Sequence, residues 1–417
     1  MKDTKEALFM DWKIFILALM ILGHAYRLIL NIVSFKSANN PTPESVKDVY
    51  DADTYIKWKK YSAEKNRLGI FSTLISFVVT LVLLLANCHA AVSGIFGKSV
   101  FGQMAAVLTF QILVDWVINI FLNYYETMVV EEKFGFNKST MKTFVIDQLR
   151  SLIIEALITF VLMSALMLLH RAMGNWVILL FTGVMFVFTL LISFLYPILS
   201  RIGNKFEPLE EGELKDKLMA LLTKNGYQVK GIKVMDASRR TTKLNAYFTG
   251  FGKLKTIVLF DNLVNAMSTD EICAVFAHEL GHGLHKDVLK QQIMNLGNLL
   301  LMAVAAWVAI IVTGMHASFG FEGVNYGFAY ILMGMMLSLI QPLTGMGMSA
   351  YSRFAEYRAD RQAVKEGHGE ALVTALKKLA KENFAHLAPS KVLVVLEYSH
   401  PPLAERISAI QKALKNS

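Results

Sequence analysis

Seven stretches of this chain, at 14–33, 68–89, 104–125, 144–170, 175–199, 296–315 and 326–350, are long and apolar enough, or nearly so, to cross a bilayer. A hydrocarbon core of ~30 Å takes about 20 mostly apolar residues per helix. Composition agrees: 54% of the 417 residues are hydrophobic and only 18% are charged, too apolar a balance for an ordinary soluble globule. The first stretch is too long, and too poor in a small-residue cleavage site, to read as a signal peptide, so it counts as a span. The expected fold class is an α-helical integral membrane protein of seven transmembrane helices.

The polar connections give the orientation. The long ones, 34–67, 126–143, 200–289 and 351–417, all fall on one side of a seven-span chain. Residues 34–67 carry seven Lys and Arg and residues 126–143 carry three, whereas the opposite connections hold only Lys98 and Arg171. Positive connections stay in the cytoplasm, which places the long stretches there and the N-terminus outside, although Lys2, Lys5 and Lys13 pull the other way. The division expected is 1–199 with five spans, 200–289 and 351–417 as two parts of one polar domain, and 290–350 as spans six and seven between them. The net charge of +9 is spread over these connections without a patterned basic helix, so it speaks for anionic lipid and against nucleic acid. Cys88 and Cys273 sit in apolar contexts without CxxC spacing, which leaves no disulfide framework and no thiolate metal site.

Within the polar domain, residues 213–225 have helical periodicity. Residues 232–260 read as a small antiparallel sheet with turns at 236–239 and 250–253. Next comes "MSTDEICAVFAHELGH". Ser268 and Glu271 have capping-box spacing, which starts a helix near Thr269 and places His278 and His282 on one face two turns later. Two imidazoles so placed can hold one Zn²⁺, and Glu279 beside them can take a proton from a water that the metal polarises, the general-base role of zinc peptidases.

A catalytic zinc wants three protein ligands and an open position. Since the chain leaves the motif, crosses the membrane twice and returns, "SRFAEYRADRQA" at 352–363 comes back to the same face. Glu356 and Asp360, four apart, then serve as the third ligand and as a carboxylate that orients a ligating histidine. The competing reading is a solvated helix pairing these acids with Arg353, Arg358 or Arg361.

These segments resemble the Ste24-type CAAX prenyl proteases of the M48 zinc metallopeptidase group. The resemblance rests on "FGFNKST" at 134–140, "FEPLEEGELKDKL" at 206–218, "NAYFTG" at 245–250, "HELGH" at 278–282, "EYRAD" at 356–360 and "YSHPPLAERI" at 398–407. It implies zinc on His278, His282 and Glu356, Glu279 as base, and a small α+β zinc domain at the cytoplasmic end of helices that enclose a water-filled chamber. It also implies that Asn245 and Tyr247 meet substrate at a sheet edge, that His400 stabilises the oxyanion, and that Arg406 assists in substrate binding. Polar Gln111, Asp115, Asn119 and Asn123 in the third span, with Asp147, Arg150 and Glu155 at the fourth, fit either a chamber lining or bonds between helices. One departure stands out: Gly283 and Leu284 follow the second histidine where eukaryotic members usually have Trp-Lys.

The resemblance further implies a peptide or protein substrate lipidated at its C-terminus, cut near that end. The membrane would be the endoplasmic reticulum if the source is eukaryotic and the inner, cytoplasmic membrane if it is bacterial. Three other readings compete. One is an HtpX-like quality-control protease, whose relatives have fewer spans. Another is an intramembrane site-2-type protease, disfavoured because Lys286, Asp287 and Lys290 place the motif at the membrane surface. The third is a seven-helix receptor or transporter using zinc only structurally, which has no need of Glu279.

Overall fold

The computed structural model describes residues 11–199, 204–249 and 256–416. Its first half is α1 (Trp12–Ser37), α2 (Ala52–Leu85), α3 (Val100–Tyr124), α4 (Met141–Met173) and α5 (Val177–Leu199). Side-chain caps set where four of these begin: Asp11, Asp51, Ser99 and Thr140 each accept from a backbone N–H two or three residues on, at 2.8–3.2 Å. Among the described residues six helical segments are long and apolar enough to span a membrane. One of them, Met141–Tyr196, is the pair α4 and α5 joined by a tight turn at Gly174–Trp176, which makes seven passes.

The second half begins with β1 (Phe206–Pro208), α6 (Glu213–Lys224), β2 (Gly231–Met235), β3 (Ala246–Thr249) and β4 (Thr256–Phe260). The strand order is β1-β2-β4-β3, and the sheet is mixed rather than antiparallel throughout, because β2 and β4 pair in parallel. After β2 the turn at Ala237–Arg239 and the segment to Asn245 carry the chain past the neighbouring position. β3 therefore lands beyond β4, pairs with it antiparallel, and becomes an edge. The turn expected at 250–253 lies outside the described residues.

Four helices then complete the site: α7 (Thr269–Leu284), α8 (Asp287–Ile311), α9 (Tyr326–Lys365) and α10 (Gly369–Glu382), followed by α11 (Lys391–Leu396) and α12 (Leu403–Lys415). The seventh span and the segment bearing Glu356, expected on either side of a division at residue 350, are not parted there. They are one 40-residue helix, α9, with Pro342 inside it. Its first half packs Phe328 and Leu332 into the membrane core, and its far end packs Ala363 and Val364 into a second core beneath the sheet. A single rod thus ties the bilayer to the polar domain.

The polar residues of the third span divide between the two uses expected of them. Gln111 and Asp115 line a half-open cavity of about 690 Å³ between the helices, whereas Asn123 donates to Gln148 Oε1 of α4 at 3.1 Å. Near the start of α4 Asp147 pairs with Arg150 at 3.1 Å and with Arg240 at 3.2 Å, which docks α4 onto the loop after β2.

The first long polar connection is not a passive loop. Val46, Val49, Tyr50 and Trp58 form a core with Ala380, Leu387 and Ile407. At its margin His386 Nδ1 accepts from Ala388 N at 3.2 Å, so the neutral ring carries its proton on Nε2, 2.8 Å from Ser37 Oγ. Burial holds this imidazole down to about 4, against 6.5 for a free one. From pH 6.5 down towards 4 the unfolded chain therefore takes a proton that the native ring refuses. Stability present above pH ~6.5 is lost as pH falls, by about 3 kcal/mol in all. Thermal unfolding at pH 7 and pH 4.5 should show a larger acid-induced drop for the parent protein than for His386→Gln; equal drops would acquit His386.

Candidate metal centre

α7 begins as the capping box requires, with Ser268 N donating to Glu271 Oε2 at 2.8 Å and Glu271 N to Ser268 Oγ at 3.3 Å. Its apolar face is buried from Ile272 to Leu280 against the sheet and α9. The approach of α7 to α9 is close because both present small residues. A Cβ on Gly281 would lie 2.9 Å from Ala359 Cα. That closeness brings the three expected ligands together.

Glu356 Oε1 is 3.3 Å from His282 Nε2, and Glu356 Oε2 is 3.5 Å from His278 Nε2. One ligand atom from each of the three residues lies within 4.8 Å of the others. The opposite ring nitrogens are held by carboxylates: His278 Nδ1 meets Asp360 Oδ1 at 2.8 Å, and His282 Nδ1 meets Asp287 Oδ2 at 3.0 Å. Protonated Nδ1 on both rings leaves both Nε2 lone pairs aimed at the common point. Glu356 Oε2 is buried and takes no hydrogen bond, which leaves it an orphaned acceptor at that point although the Arg406 guanidinium lies 3.2 Å away as an ion-pair partner. Donor set and orphaned oxygen both fit a divalent cation of the zinc type.

Charge is tightly managed here. Burial works against the Glu356 carboxylate, but the His282 hydrogen bond and the charges of His278, Arg406 and His400 outweigh it and hold Glu356 down to about 2. Burial likewise opposes the charge on Asp360. The Arg406 charge and the His278 hydrogen bond prevail and keep that carboxyl well below the usual range. Burial would lower His282, yet Glu356, Glu279 and Asp287 lift it to about 9. A cation among these ligands replaces the proton that the carboxylates otherwise hold on that ring. For Glu279, burial is the leading influence and raises its carboxyl above the ordinary value.

Two residues sit differently from expectation. Arg406, read as a substrate contact, is 8% exposed, and its guanidinium forks onto Asp360 (Nε to Oδ2 3.0 Å, Nη2 to Oδ1 2.6 Å) while Nη1 lies 3.2 Å from Glu356 Oε2. It braces the ligands and has no free edge for a peptide. Asp287, one of the three charges expected to mark the motif as lying at the membrane surface, is only 3% exposed. Besides His282 it accepts from Tyr351 Oη at 2.9 Å and from Arg358, both on α9. Lys286, in the left-handed conformation at φ 56°, turns the chain between α7 and α8 and brings Asp287 back to the histidine. No helical spacing links His282 to a residue five positions on, so nothing in the local pattern points to Asp287.

Asp287→Ala should weaken zinc binding by about 10–100-fold, the usual loss when a carboxylate behind a ligating histidine is removed. Competition with a chromophoric chelator reads this directly, and unchanged affinity would reduce Asp287 to a helix-start residue.

The remaining expected residues surround the centre. His400 is exposed, with Nε2 3.3 Å from Glu356 Oε1 and Nδ1 2.9 Å from Ser399 Oγ. Asn245 is exposed where the edge strand β3 begins, its backbone O accepting from Phe260 N at 3.1 Å. The preceding Leu244 is gripped through N and O by Asn383, at 2.8 and 2.9 Å. Tyr247 turns instead to pack against Tyr196 of α5 and Phe260. Gly283, the departure noted above, lies under Tyr227, whose Oη would be 2.5 Å from any Cβ there. The tyrosine ring takes the space that a larger residue would need.

Two family models cover almost the whole chain. One, described as CAAX prenyl protease N-terminal, five membrane helices, matches residues 12–201, and the other, peptidase family M48, matches residues 208–414. CAAX prenyl protease 1 of Saccharomyces cerevisiae is 31% identical over 96% of this chain and 95% of its own length. The chain belongs to peptidase family M48. It is a membrane metallopeptidase. A CAAX prenyl protease 1 homolog of Oryza sativa is 28% identical over 95% of this chain and 97% of its own. The crystal structure of S. mikatae Ste24p superposes with a TM-score of 0.89 at 28% identity, covering 96% of this chain and 99% of that one. The His278, His282 and Glu356 cluster lies within residues 208–414, the part that the M48 model matches.

Proposed function

We propose that this M48 peptidase is a zinc endopeptidase that cuts prenylated CAAX proteins near their C-terminus, at the cytoplasmic face of the membrane. The observation that carries the reading is the convergence of His278, His282 and Glu356 on one point beside Glu279, in a chain similar along nearly its full length to CAAX prenyl protease 1. That same span of similarity, which includes the five-helix N-terminal part, favours it over a shorter quality-control protease. The compartment follows the source: endoplasmic reticulum membrane in a eukaryote, cytoplasmic membrane in a bacterium.

Held by His278, His282 and Glu356, zinc supplies Lewis acidity towards a water and a peptide carbonyl. Asp360, Arg406 and Asp287 keep the histidine rings in one tautomer and one orientation. Glu279 takes the proton of the attacking water and passes it to the departing amine. β3 offers its free edge from Asn245 onward, to which an extended substrate adds as a further strand. His400, exposed at the rim, donates to the carbonyl oxygen as negative charge gathers there.

The test is to offer the purified, zinc-loaded protein a farnesylated CAAX peptide beside its unprenylated twin and to locate the cut. The expected result is cleavage within the last few residues with at least a tenfold higher kcat/KM for the farnesylated peptide. Equal rates would remove the lipid from the substrate description and leave a general membrane endopeptidase.

A further inference from the structure

The cavity between the spans holds one cation and one carboxylate that face it without pairing with each other. Arg27 of α1 lines it and makes no hydrogen bond or ion pair among the described residues. Asp115 of α3 lines it too, taking a single hydrogen bond from Gln111 Nε2 at 3.0 Å, while Gln111 Oε1 meets His89 Nε2 at 2.8 Å. The rest of the lining mixes hydroxyl and amide groups, from Ser72, Ser76 and Thr80 of α2 and Ser338 and Gln341 of α9, with apolar side chains such as Met20, Leu84, Met302 and Ile331.

An arginine without an ion-pair partner and an aspartate held by one amide, lining a space between membrane helices, call for water or a ligand to answer them. An adjoining space of about 310 Å³, lined by Asn295 and Asn298 of α8 and Thr344 of α9, shares Met302, Leu337 and Gln341 with the cavity. Both spaces are therefore walled by α8 and α9, the two helices that supply Asp287 and Glu356 to the metal centre.

We infer that this cavity is a binding site for a short zwitterionic peptide, the C-terminal fragment set free by cleavage. The inference rests on the function proposed above. Hydrolysis adds water across one peptide bond, so the released fragment carries a new ammonium at one end and keeps its original carboxylate at the other. Arg27 answers the carboxylate and Asp115 the ammonium. A volume of about 690 Å³ lies within the ~300–1,000 Å³ typical of small-ligand sites, and a lining of hydroxyl and apolar groups together suits a peptide backbone with apolar side chains.

The experiment is calorimetric binding of an apolar tripeptide to the zinc-loaded protein in lipid nanodiscs, in four forms: free, C-terminally amidated, N-acetylated, and blocked at both ends. The free form should bind at least tenfold more tightly than either singly blocked form. Arg27→Gln should erase the advantage over the amide and leave that over the acetylated form; Asp115→Asn should do the reverse. Arg27→Lys should keep the carboxylate preference, which separates a charge effect from misfolding. The inference is overturned if the amide penalty persists in Arg27→Gln, or if native mass spectrometry shows a phospholipid, not the peptide, retained through Arg27. Because binding is read without turnover, a protein that discriminates the four peptides yet cleaves no CAAX substrate would fail the proposed function and not this one.

Discussion

Glu279→Gln should retain zinc and lose peptide hydrolysis by at least ~10²-fold, the lower bound for removing a general base. The amide has the shape of the carboxylate but cannot accept a proton. Glu279 is also not among the three residues whose atoms converge on the metal point, so its removal leaves the ligand set whole. Burial has already raised its carboxyl above the ordinary value, the direction that suits a base working near neutral pH. Elemental analysis and kcat/KM measured on one preparation test both halves of the claim. Turnover close to that of the parent protein would take the base role from Glu279.

Glu356→Ala should abolish stoichiometric zinc, a loss well beyond the ~10–100-fold expected for an outer partner such as Asp287. It removes one of three ligands and leaves Arg406 with Asp360 as its sole carboxylate partner. The seven-span fold should persist, because Glu356 belongs to none of the hydrophobic clusters that hold the membrane half or the sheet. Its circular dichroism and gel-filtration profile should match those of the parent. Unchanged zinc content would pass the third-ligand role elsewhere, with His400 first in line because its ring is exposed and only 3.3 Å away.

Local chemistry was legible in the sequence wherever it follows helical spacing. The capping box at Ser268, the pair His278 and His282, and the pair Glu356 and Asp360 all depend on residues three or four apart, a separation that fixes their relative direction whatever the tertiary fold. Asp287 and Arg406 were misjudged because their surroundings come from elsewhere in the chain: Tyr351 and Arg358 for one, Asp360 and Glu356 for the other. The core joining Tyr50 and Trp58 to Ala380 and Leu387 was hidden for the same reason, since its partners lie more than 300 residues apart. The sheet's parallel central pair escaped because strand runs in sequence do not reveal which neighbour a strand will skip. The boundary drawn at residue 350 followed a change in polarity, and nothing there breaks a helix: "GMSAYSRFAEY" at 347–357 contains no proline and no capping turn.

The unbroken α9 has a geometric corollary of angular phase. From Ser338, at the cavity wall, to Glu356, at the metal, is eighteen residues, and at 3.6 residues per turn that is about five complete revolutions over roughly 27 Å. The two side chains leave the rod at nearly the same azimuth, so the cavity and the metal open on the same flank of one helix. A single added or lost residue between them would swing one relative to the other by about 100°. The length of this segment is thus set in whole turns, much as the thread of a screw fixes which way its slot points when it is driven home.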